Sequence, residues 1–369
     1  MTNRDNLMAP TPELLYISHS RLHRNRANLI QTLHTVSGFS SCGVNTTLYL
    51  PPWYSKVTLE SRLRELGVEP TLDVHPMELL HKRWPLSIFT WIYLNKLRAA
   101  KHIYVRSARI SLALAARRIP HHLEIHTLRE LETKGIDLAQ LIRNQKSGII
   151  GLFVPISQVL AHALERAGAD PGRIHVSPSG VDLGAYRDVP SCSFSGERKP
   201  KIVYLGRISN DRGLSILSLI AERRLGEILL TGTMDDPIPQ VDGLSYRPPV
   251  PHKKVPSIYA DADFVLLPYQ PELLHADGIS PLKLFEAMAA GRSIIASDLP
   301  SIREILEHEK TALLVPPADA EAWCRSVIRL REEPDLAIRL ADNARKEAVQ
   351  YSWTNRARAI LKAMSLTSH

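Results

Sequence analysis

The chain has 369 residues, 44% of them apolar and 23% charged, which is typical of a globular enzyme and excludes a disordered chain, a collagen-like repeat and a disulfide mini-protein. Its three cysteines lie far apart without a CxxC pair, and no run of about 18 apolar residues occurs, so we expect a cytoplasmic protein without a spanning helix. The formal net charge of +8 is concentrated in residues 1–180, where 22 Lys and Arg face 13 Asp and Glu, a surplus suited to nucleic acid, anionic lipid, a phosphorylated substrate or plain solvation.

Short apolar runs alternate with helical stretches through the first half. Strands are expected at Glu13–Ser18, Thr46–Leu50, His102–Arg106, His122–His126 and Gly148–Pro155, and helices at Ala27–Ser37 and Ser111–Arg118. Alternation of this kind predicts a parallel sheet with helices on both faces.

One segment of the first half combines aromatic and basic residues. Trp84 to Leu97 is rich in aromatic and apolar side chains, with Lys82, Arg83 and Lys96 among its charged neighbours. It is too short to span a bilayer. It fits either a helix packed on its own sheet or a helix lying at a membrane surface.

The alternation restarts after a polar linker, Asp188 to Pro200. Strands are expected at Lys201–Leu205, Glu227–Thr231, Asp263–Leu267 and Ser293–Ser297, and helices at Ser280–Ala290 and Ala318–Arg331. The fold class is therefore α/β, with two doubly wound halves. Such a pair leaves a cleft at the carboxyl ends of its strands, where ligands bind.

The most informative stretch runs from residue 277 to residue 291. Ser280 followed by Pro281 is a typical helix start, with the hydroxyl as cap and proline at the first helical position. The free amides at such a start suit a phosphate, and Gly278 would allow a close approach. Glu286, on the same helix, is able to accept two hydrogen bonds from a ribose diol. Taken alone, the pattern also fits a capped helix with a surface glutamate.

A second motif follows the first strand of the second half. Gly206-Arg207 ends that strand, and Arg212-Gly213 comes five residues later. Two guanidinium groups at the mouth of a strand would clamp a diphosphate, unless both are solvated loop charges.

In this order and spacing, the motifs resemble those of retaining glycosyltransferases of family 4. The resemblance covers the second half well, and it extends to a Val176–Asp182 segment similar to that family's PNGVD sequence, with Ser179 in place of Asn. In the first half, His126 stands where the family keeps a histidine after a strand. Further matching segments are Val255–Pro268, Glu286–Gly291, Ser297-Asp298, Glu304 and Tyr351–Trp353.

The sequence departs from the family pattern at two places. The family carries two glutamates eight positions apart; here Glu286 fills the second place and Gly278 the first, with Asp277 beside it. The SPLKLFE form is similar to a surface-polysaccharide subgroup. The loop His19–Arg26 stands where relatives often carry Gly-Gly, and its arginines suit an anionic acceptor or the donor diphosphate, or mark a solvated loop.

The resemblance implies a GT-B fold, with two Rossmann-like domains facing a central cleft. The first domain would be an acceptor-side unit of residues 1–183, and the second a nucleotide-sugar-binding unit of residues 184–349, with a helix of residues 350–369 crossing back. The implied activity is metal-independent, retaining sugar transfer from a nucleotide sugar to an acceptor hydroxyl, in surface polysaccharide or glycolipid synthesis.

Residue roles follow from the same resemblance. The implied catalytic residues are His126, Arg207 and Arg212; the donor-binding residues are Gly206, Asp277, Gly278, Ile279, Ser280, Lys283 and Glu286; the acceptor-side residues are Arg21, Arg24 and Arg26. No cofactor or metal is expected, since no Asp-x-Asp motif follows a strand and His121, His122 and His126, considered with Glu124, scatter over both faces of a strand. The expected partners are the sugar donor, a glycan or lipid-linked acceptor and the inner face of the membrane, without nucleic acid.

Two alternatives stay open on the sequence. A nucleotide-sugar 2-epimerase has a similar two-domain layout but needs an acid/base carboxylate pair, which we do not identify. A nucleic-acid-binding protein would use the basic half. It would have no need for the motifs of the second half.

Overall fold

The computed structural model describes residues 12–273 and 278–365. Asp277 therefore lies outside the described residues. The architecture is two parallel sheets, each of six strands in the described part of the chain. Helices flank both sheets, which confirms the predicted α/β class with two Rossmann-like units.

The first sheet has the order β3-β2-β1-β4-β5-β6. Its strands are β1 (Leu14–Ile17), β2 (Thr46–Leu50), β3 (Asp73–Pro76), β4 (His102–Val105), β5 (His121–Ile125) and β6 (Ile150–Pro155). The helices around it are α1 (Ala27–Ser41), α2 (Leu59–Glu65), α3 (Leu86–Ile92), α4 (Leu94–Ala99), α5 (Ala108–Ala115), α6 (Arg129–Thr133), α7 (Leu138–Lys146) and α8 (Gln158–Arg166). β1 pairs in parallel with both β2 and β4, so the chain reverses its winding direction there.

The second sheet repeats this order as β12-β11-β10-β7-β8-β9. Its strands are β7 (Lys201–Leu205), β8 (Glu227–Thr231), β9 (Leu244–Arg247), β10 (Phe264–Leu267), β11 (Ser293–Ser297) and β12 (Leu313–Val315). Its helices are α9 (Leu214–Glu222), α10 (Val255–Ala260), α11 (Leu282–Ala289), α12 (Pro300–Arg303), α13 (Ala320–Glu332) and α14 (Pro334–Ala348). In each sheet the switch point lies at the first strand, where such folds bind ligands.

The last helix, α15 (Trp353–Ala363), leaves the second unit and packs on α1 of the first. Ala357 and Ile360 are buried in the same apolar cluster as Leu33. The chain thus ends against the unit with which it began, and α15 carries side chains toward the first sheet.

The aromatic-basic segment forms two helices, α3 and α4, which break at Tyr93. Phe89 is fully buried in the core of the first unit, whereas Trp91 is 65% exposed and Ile92 is 52% exposed. The segment therefore combines both predicted environments: one side packs on the protein, and the other presents apolar side chains to solvent. No helix in the described ranges is long and apolar enough to cross a bilayer.

Candidate active site

The loops that follow β1, β4 and β5 surround a cavity of about 520 Å³ in the first unit. His126 and the three arginines Arg21, Arg24 and Arg26 all line it. Because the strands are parallel, their carboxyl ends meet at this one edge. The structure thus brings the predicted acceptor-side residues together with the predicted catalytic histidine.

His126 is held by two charged neighbours. Its Nε2 lies 2.5 Å from Glu124 Oε1 and 2.8 Å from Arg106 Nε. Burial and the charge of Arg106 lower the pKa of His126 to about 4, against the opposing effect of Glu124. The imidazole is therefore neutral at pH 7, which suits hydrogen bonding and charge-free positioning of a substrate.

Glu124 itself is fully buried and is compensated by the last helix. Arg356 of α15 places Nη2 3.0 Å from Glu124 Oε2, and Tyr104 donates a hydrogen bond of 2.8 Å to the same oxygen. Burial alone would raise the pKa of Glu124, but Arg356, His126 and Arg106 together hold it below its ordinary value. Sequence reasoning missed Arg356, because no local signal marks its partner 232 positions away.

The arginine-rich loop, His19–Arg26, is held by hydrogen bonds to other parts of the first unit. Arg62 of α2 is buried, and it donates from Nε to the Leu22 carbonyl at 2.8 Å and from Nη2 to Asn25 Oδ1 at 2.5 Å. Leu22 is buried as well, and Ser20 Oγ donates to the Asn28 carbonyl at 3.2 Å. The loop is thus anchored at three points and presents its arginines in one arrangement.

On the second unit, Lys283 lies in an enclosed, aromatic position. Its Nζ is 3.8 Å from the centre of the Tyr204 ring and 5.4 Å from that of Tyr269. The Nζ is buried and has no hydrogen-bond partner among the described residues. Burial and Arg212 hold the pKa of Lys283 well below its ordinary value, although Glu286 acts in the opposite direction.

Gly206 makes room for this ammonium group. A Cβ at position 206 would stand 2.6 Å from Lys283 Nζ, and the glycine has a φ of +132°. Both the backbone conformation and the contact therefore require glycine.

The two predicted clamp arginines differ in their surroundings. Arg207 is exposed and forms an ion pair with Asp235, at 3.2 Å from Nε to Oδ2. Arg212 has a buried Nε without a hydrogen-bond partner in the described ranges, and its guanidinium lies 5.8 Å from the Tyr269 ring centre. Arg212 and Lys283 therefore leave two buried cationic donors uncompensated near the carboxyl end of β7.

Glu286 is not a surface residue. It is only 7% exposed, and its Oε1 lies 2.8 Å from Nε2 of His252. Burial alone would lower the pKa of His252, but Glu286, the Leu66 carbonyl and Asp182 raise it. Leu66 belongs to the first unit, so His252 connects the two units. Its imidazole contacts the carboxylate of Glu286, the residue predicted to bind the ribose. No sequence motif pointed to His252.

The predicted cap at Ser280 is wrong. α11 begins at Leu282 with Pro281 at the cap position and no side-chain cap. Ser280 instead accepts a hydrogen bond from the Ser179 backbone amide at 2.8 Å, while Ser179 Oγ donates to the Ser280 carbonyl at 2.7 Å. These two hydrogen bonds connect the Val176–Asp182 segment, through Ser179, to Ser280, one of the predicted donor-binding residues.

A chain of hydrogen bonds continues from Ser179 into the first unit. Gln31 Nε2 lies 3.4 Å from Ser179 Oγ, and Arg106 Nη2 lies 3.1 Å from Gln31 Oε1. Because Arg106 also holds His126, the candidate catalytic histidine and Ser280 belong to one network. Cooperative networks of this kind fix the relative position of their members.

Two further residues predicted to bind the donor, Gly278 and Ile279, pack against other parts of the protein. A Cβ at Gly278 would stand 2.9 Å from Cγ of Leu160, so α8 of the first unit lies against this glycine. Ile279 packs with the apolar core of the second unit, which leaves its backbone as the part able to contact a ligand. In the described ranges, no three His, Cys, Asp or Glu side chains group as a metal site.

The comparisons with known proteins agree on the kind of enzyme. Residues 199–333 match the family model of glycosyl transferases group 1. It is 28% identical over 259 residues to the phosphatidyl-myo-inositol mannosyltransferase of Mycolicibacterium smegmatis, a match covering 66% of this chain and 64% of that protein. It is 25% identical to the D-inositol 3-phosphate glycosyltransferase of Nocardia farcinica, over 55% of this chain and 49% of that protein. The matches thus span about half to two thirds of these relatives.

Solved structures share the whole fold. The Anabaena HepE structure in complex with UDP-glucose superposes with a TM-score of 0.72 and 15% identity, covering 96% of this chain and all of that one. Sucrose-phosphate synthase from Thermosynechococcus elongatus gives a TM-score of 0.72 at 16% identity, covering 96% of this chain and 98% of the other. The predicted GT-B fold is confirmed.

Proposed function

We propose that this chain transfers a sugar from a nucleotide sugar to an acceptor hydroxyl. The observation that carries the proposal is a pair of buried nitrogens, Lys283 Nζ and Arg212 Nε, that have no hydrogen-bond partner among the described residues; Lys283 lies beside Gly206. A buried charge is unfavourable unless it is paired. A donor diphosphate bound there would supply the missing charge and acceptor oxygens.

The same groups account for the chemistry. The bond between the anomeric carbon and the diphosphate oxygen breaks, and the acceptor oxygen bonds to that carbon on the same face. The acceptor proton passes to the departing diphosphate. Arg207, Arg212 and Lys283 stabilise the charge that develops on the leaving group, which is where preorganised donors contribute most. We propose that these three cations act without a metal.

The remaining roles are assigned by position. Neutral His126 positions the donor sugar or the acceptor by hydrogen bonding, while Glu124 and Arg106 orient it. Glu286 holds the ribose diol, with His252 as the group that orients its carboxylate. Gly278, Ile279 and Ser280 add backbone contacts to the donor.

Ligand binding and turnover test the proposal. Nucleoside diphosphates and nucleotide sugars should raise the melting temperature, because they bind the folded state. Arg207→Ala and Arg212→Ala should each lower turnover by about 10²–10³-fold, the usual loss for one charge-stabilising donor. Arg339→Ala, an exposed arginine on α14, is the matched control. Normal turnover in both site variants would refute the assignment, and epimerised donor formed without acceptor would indicate a different reaction.

We further propose that the acceptor is lipid-linked and reached from the membrane surface. Exposed Trp84 and Lys82 line the rim of the cavity that holds His126, and exposed Trp91 and Ile92 lie on α3. Aromatic side chains beside basic ones favour an anionic bilayer surface, and each basic residue there contributes about 1 kcal/mol.

Co-sedimentation with vesicles tests this contact. Binding to vesicles of phosphatidylglycerol should be measurable at low salt and decrease as salt rises. Trp91→Ser combined with Ile92→Ser should weaken it without unfolding the protein, since both side chains are exposed; Phe89 is unsuitable for this test because it is buried. Val349→Ser, at an exposed apolar position of the second unit, is the control. Absence of co-sedimentation at low salt would refute the membrane contact.

A further inference from the structure

We propose that the cavity of the first unit binds a phosphate group of the acceptor, through the arginines of the loop after β1 and the first turn of α5. The proposal rests on the proposed function and narrows the acceptor to a phosphorylated class. It is carried by the placement of unpaired cations around one enclosed space of about 520 Å³.

The charge around this cavity is strongly one-sided. Of the described residues that line it, only Glu124 is acidic, and that carboxylate is already bonded to Arg356 and Tyr104. Its basic lining residues are Arg21, Arg24, Arg26, Lys82, Arg106, Arg109 and Lys134. The cavity therefore has a surplus of positive charge, which attracts anions and concentrates them.

Most of these cations lack a protein counter-ion. Among the described residues, neither the three loop arginines nor Lys82 and Arg109 lie within 4 Å of a carboxylate. Some surface arginines elsewhere form such pairs, as Arg223 does with Glu321, and others such as Arg339 do not among the described residues; what distinguishes the cavity is that five unpaired cations line one space. A bound anion would supply the negative charge that these side chains lack. Arginine suits phosphate because it offers a planar fork of donors.

The surroundings of His19 indicate that several of these cations lie around one position in the cavity. It lies at the start of the loop, 3.0 Å from Ser107 Oγ at the start of α5. Burial and the charges of Arg109, Lys134, Lys82 and Arg21 together lower the pKa of His19 to about 4. Residues from four separate segments of the chain therefore act on one position, which local sequence cannot show.

The local backbone adds to this preference. α1 and α5 both begin at the cavity, and neither has an acidic residue in its first turn. The positive ends of both helix dipoles are thus uncompensated there. Arg62 anchors the loop through the Leu22 carbonyl and Asn25 Oδ1, so the loop holds its arginines beside the cavity that they line.

The first experiment measures binding of inorganic phosphate by calorimetry at constant ionic strength, with chloride as the competing anion. Arg109→Ala and Arg24→Ala should each weaken phosphate binding about tenfold, the order expected for one hydrogen bond to a charged group. Arg117→Ala, an exposed arginine just beyond α5 that does not line the cavity, should bind as wild type does. Equal phosphate affinity in all four proteins would overturn the proposal.

A second titration, with UDP, separates this proposal from the proposed function. Arg109→Ala should bind UDP as wild type does, and Arg207→Ala should keep the cavity's phosphate site while losing UDP affinity. If phosphate binding disappears only in Arg207→Ala, the phosphate site is in the second unit and the proposal is overturned. If no protein binds UDP, it is the proposed function that fails.

The source of the phosphate is distinguished by competition. Glycerol 3-phosphate displacing inorganic phosphate in an Arg109-dependent manner would identify a soluble phosphomonoester acceptor. Displacement by vesicles containing phosphatidic acid, but not by phosphatidylcholine vesicles, would identify a lipid headgroup. If neither competes, the cavity does not accept an organic phosphate, and the proposal fails.

Discussion

Replacing Lys283 with methionine should stabilise the free protein while weakening nucleotide binding. Lys283 Nζ is buried without a hydrogen-bond partner in the described chain, between two tyrosine rings. Methionine has a similar length and lacks the polar group. The lysine would then be retained for its ligand, at a cost to the stability of the unliganded state.

The expected magnitudes follow from this environment. A buried polar group without a partner costs about 1–3 kcal/mol, so Lys283→Met should raise stability by up to that amount. For a unit of this size, each 1 kcal/mol moves the melting temperature by about 2–4 °C. A hydrogen bond from a charged group contributes about 1.5–3 kcal/mol, so affinity for UDP should drop by about 10- to 150-fold.

Thermal unfolding with and without UDP measures both effects in one assay. Lys253→Met, which removes an exposed lysine of the same unit, is the matched control and should change neither. Calorimetry in buffers of different ionisation enthalpy adds a third measurement. Because the pKa of Lys283 is held well below its ordinary value, diphosphate binding should be accompanied by proton uptake at alkaline pH, and the methionine variant should lose it. A destabilised variant with unchanged UDP affinity would refute the reasoning.

Three further predictions follow from the donor side. Glu286→Gln should weaken nucleoside diphosphate binding by about 1.5–3 kcal/mol in calorimetry, and unchanged affinity would remove Glu286 from the ribose site. His252 has a raised pKa, so its charged form stabilises the fold below about pH 6.5, and this contribution is lost as the pH rises through the raised value. The melting-temperature difference between wild type and His252→Asn should therefore shrink as the pH rises above about 6.5, whereas a constant difference would exclude a charged bridge. Turnover after EDTA treatment should equal that of untreated enzyme, and a loss restored by a divalent cation would contradict metal independence.

The central strands of both sheets could be predicted from the sequence alone. β1, β4, β7 and β10 are buried along most of their length, and a buried parallel strand is a continuous apolar run. The edge strands β3 and β9 went undetected because three of the four residues of β3 are exposed and all four residues of β9 are exposed or half-buried. An edge strand is specified by its pairing with a neighbour, which a local pattern does not contain.

The candidate site divides in the same way. Gly206, Arg207 and Arg212 could be proposed from the sequence because basic side chains follow the end of a strand within a few residues. Ser280 was misjudged because the local rule for a Ser-Pro helix start was overridden by the hydrogen bonds to Ser179, 101 positions away. Local propensity is a weak preference, and a tertiary hydrogen bond of about 1 kcal/mol is enough to displace it.

The sequence by itself determined the fold class and its two α/β units, because apolar periodicity and turn chemistry act over a few residues, and it predicted a motif for binding a diphosphate. Only the tertiary structure decided which charges are compensated. Arg356 meets Glu124 across 232 positions, and Arg62 reaches Leu22 across 40. In contrast, Lys283 Nζ has no hydrogen-bond partner among the described residues, and the described lining of the cavity beside His19 has seven basic residues against one acidic residue, Glu124. Coulomb energies and desolvation depend on distance and burial in three dimensions, so the sequence carries the charges, but the fold determines which of them need a ligand.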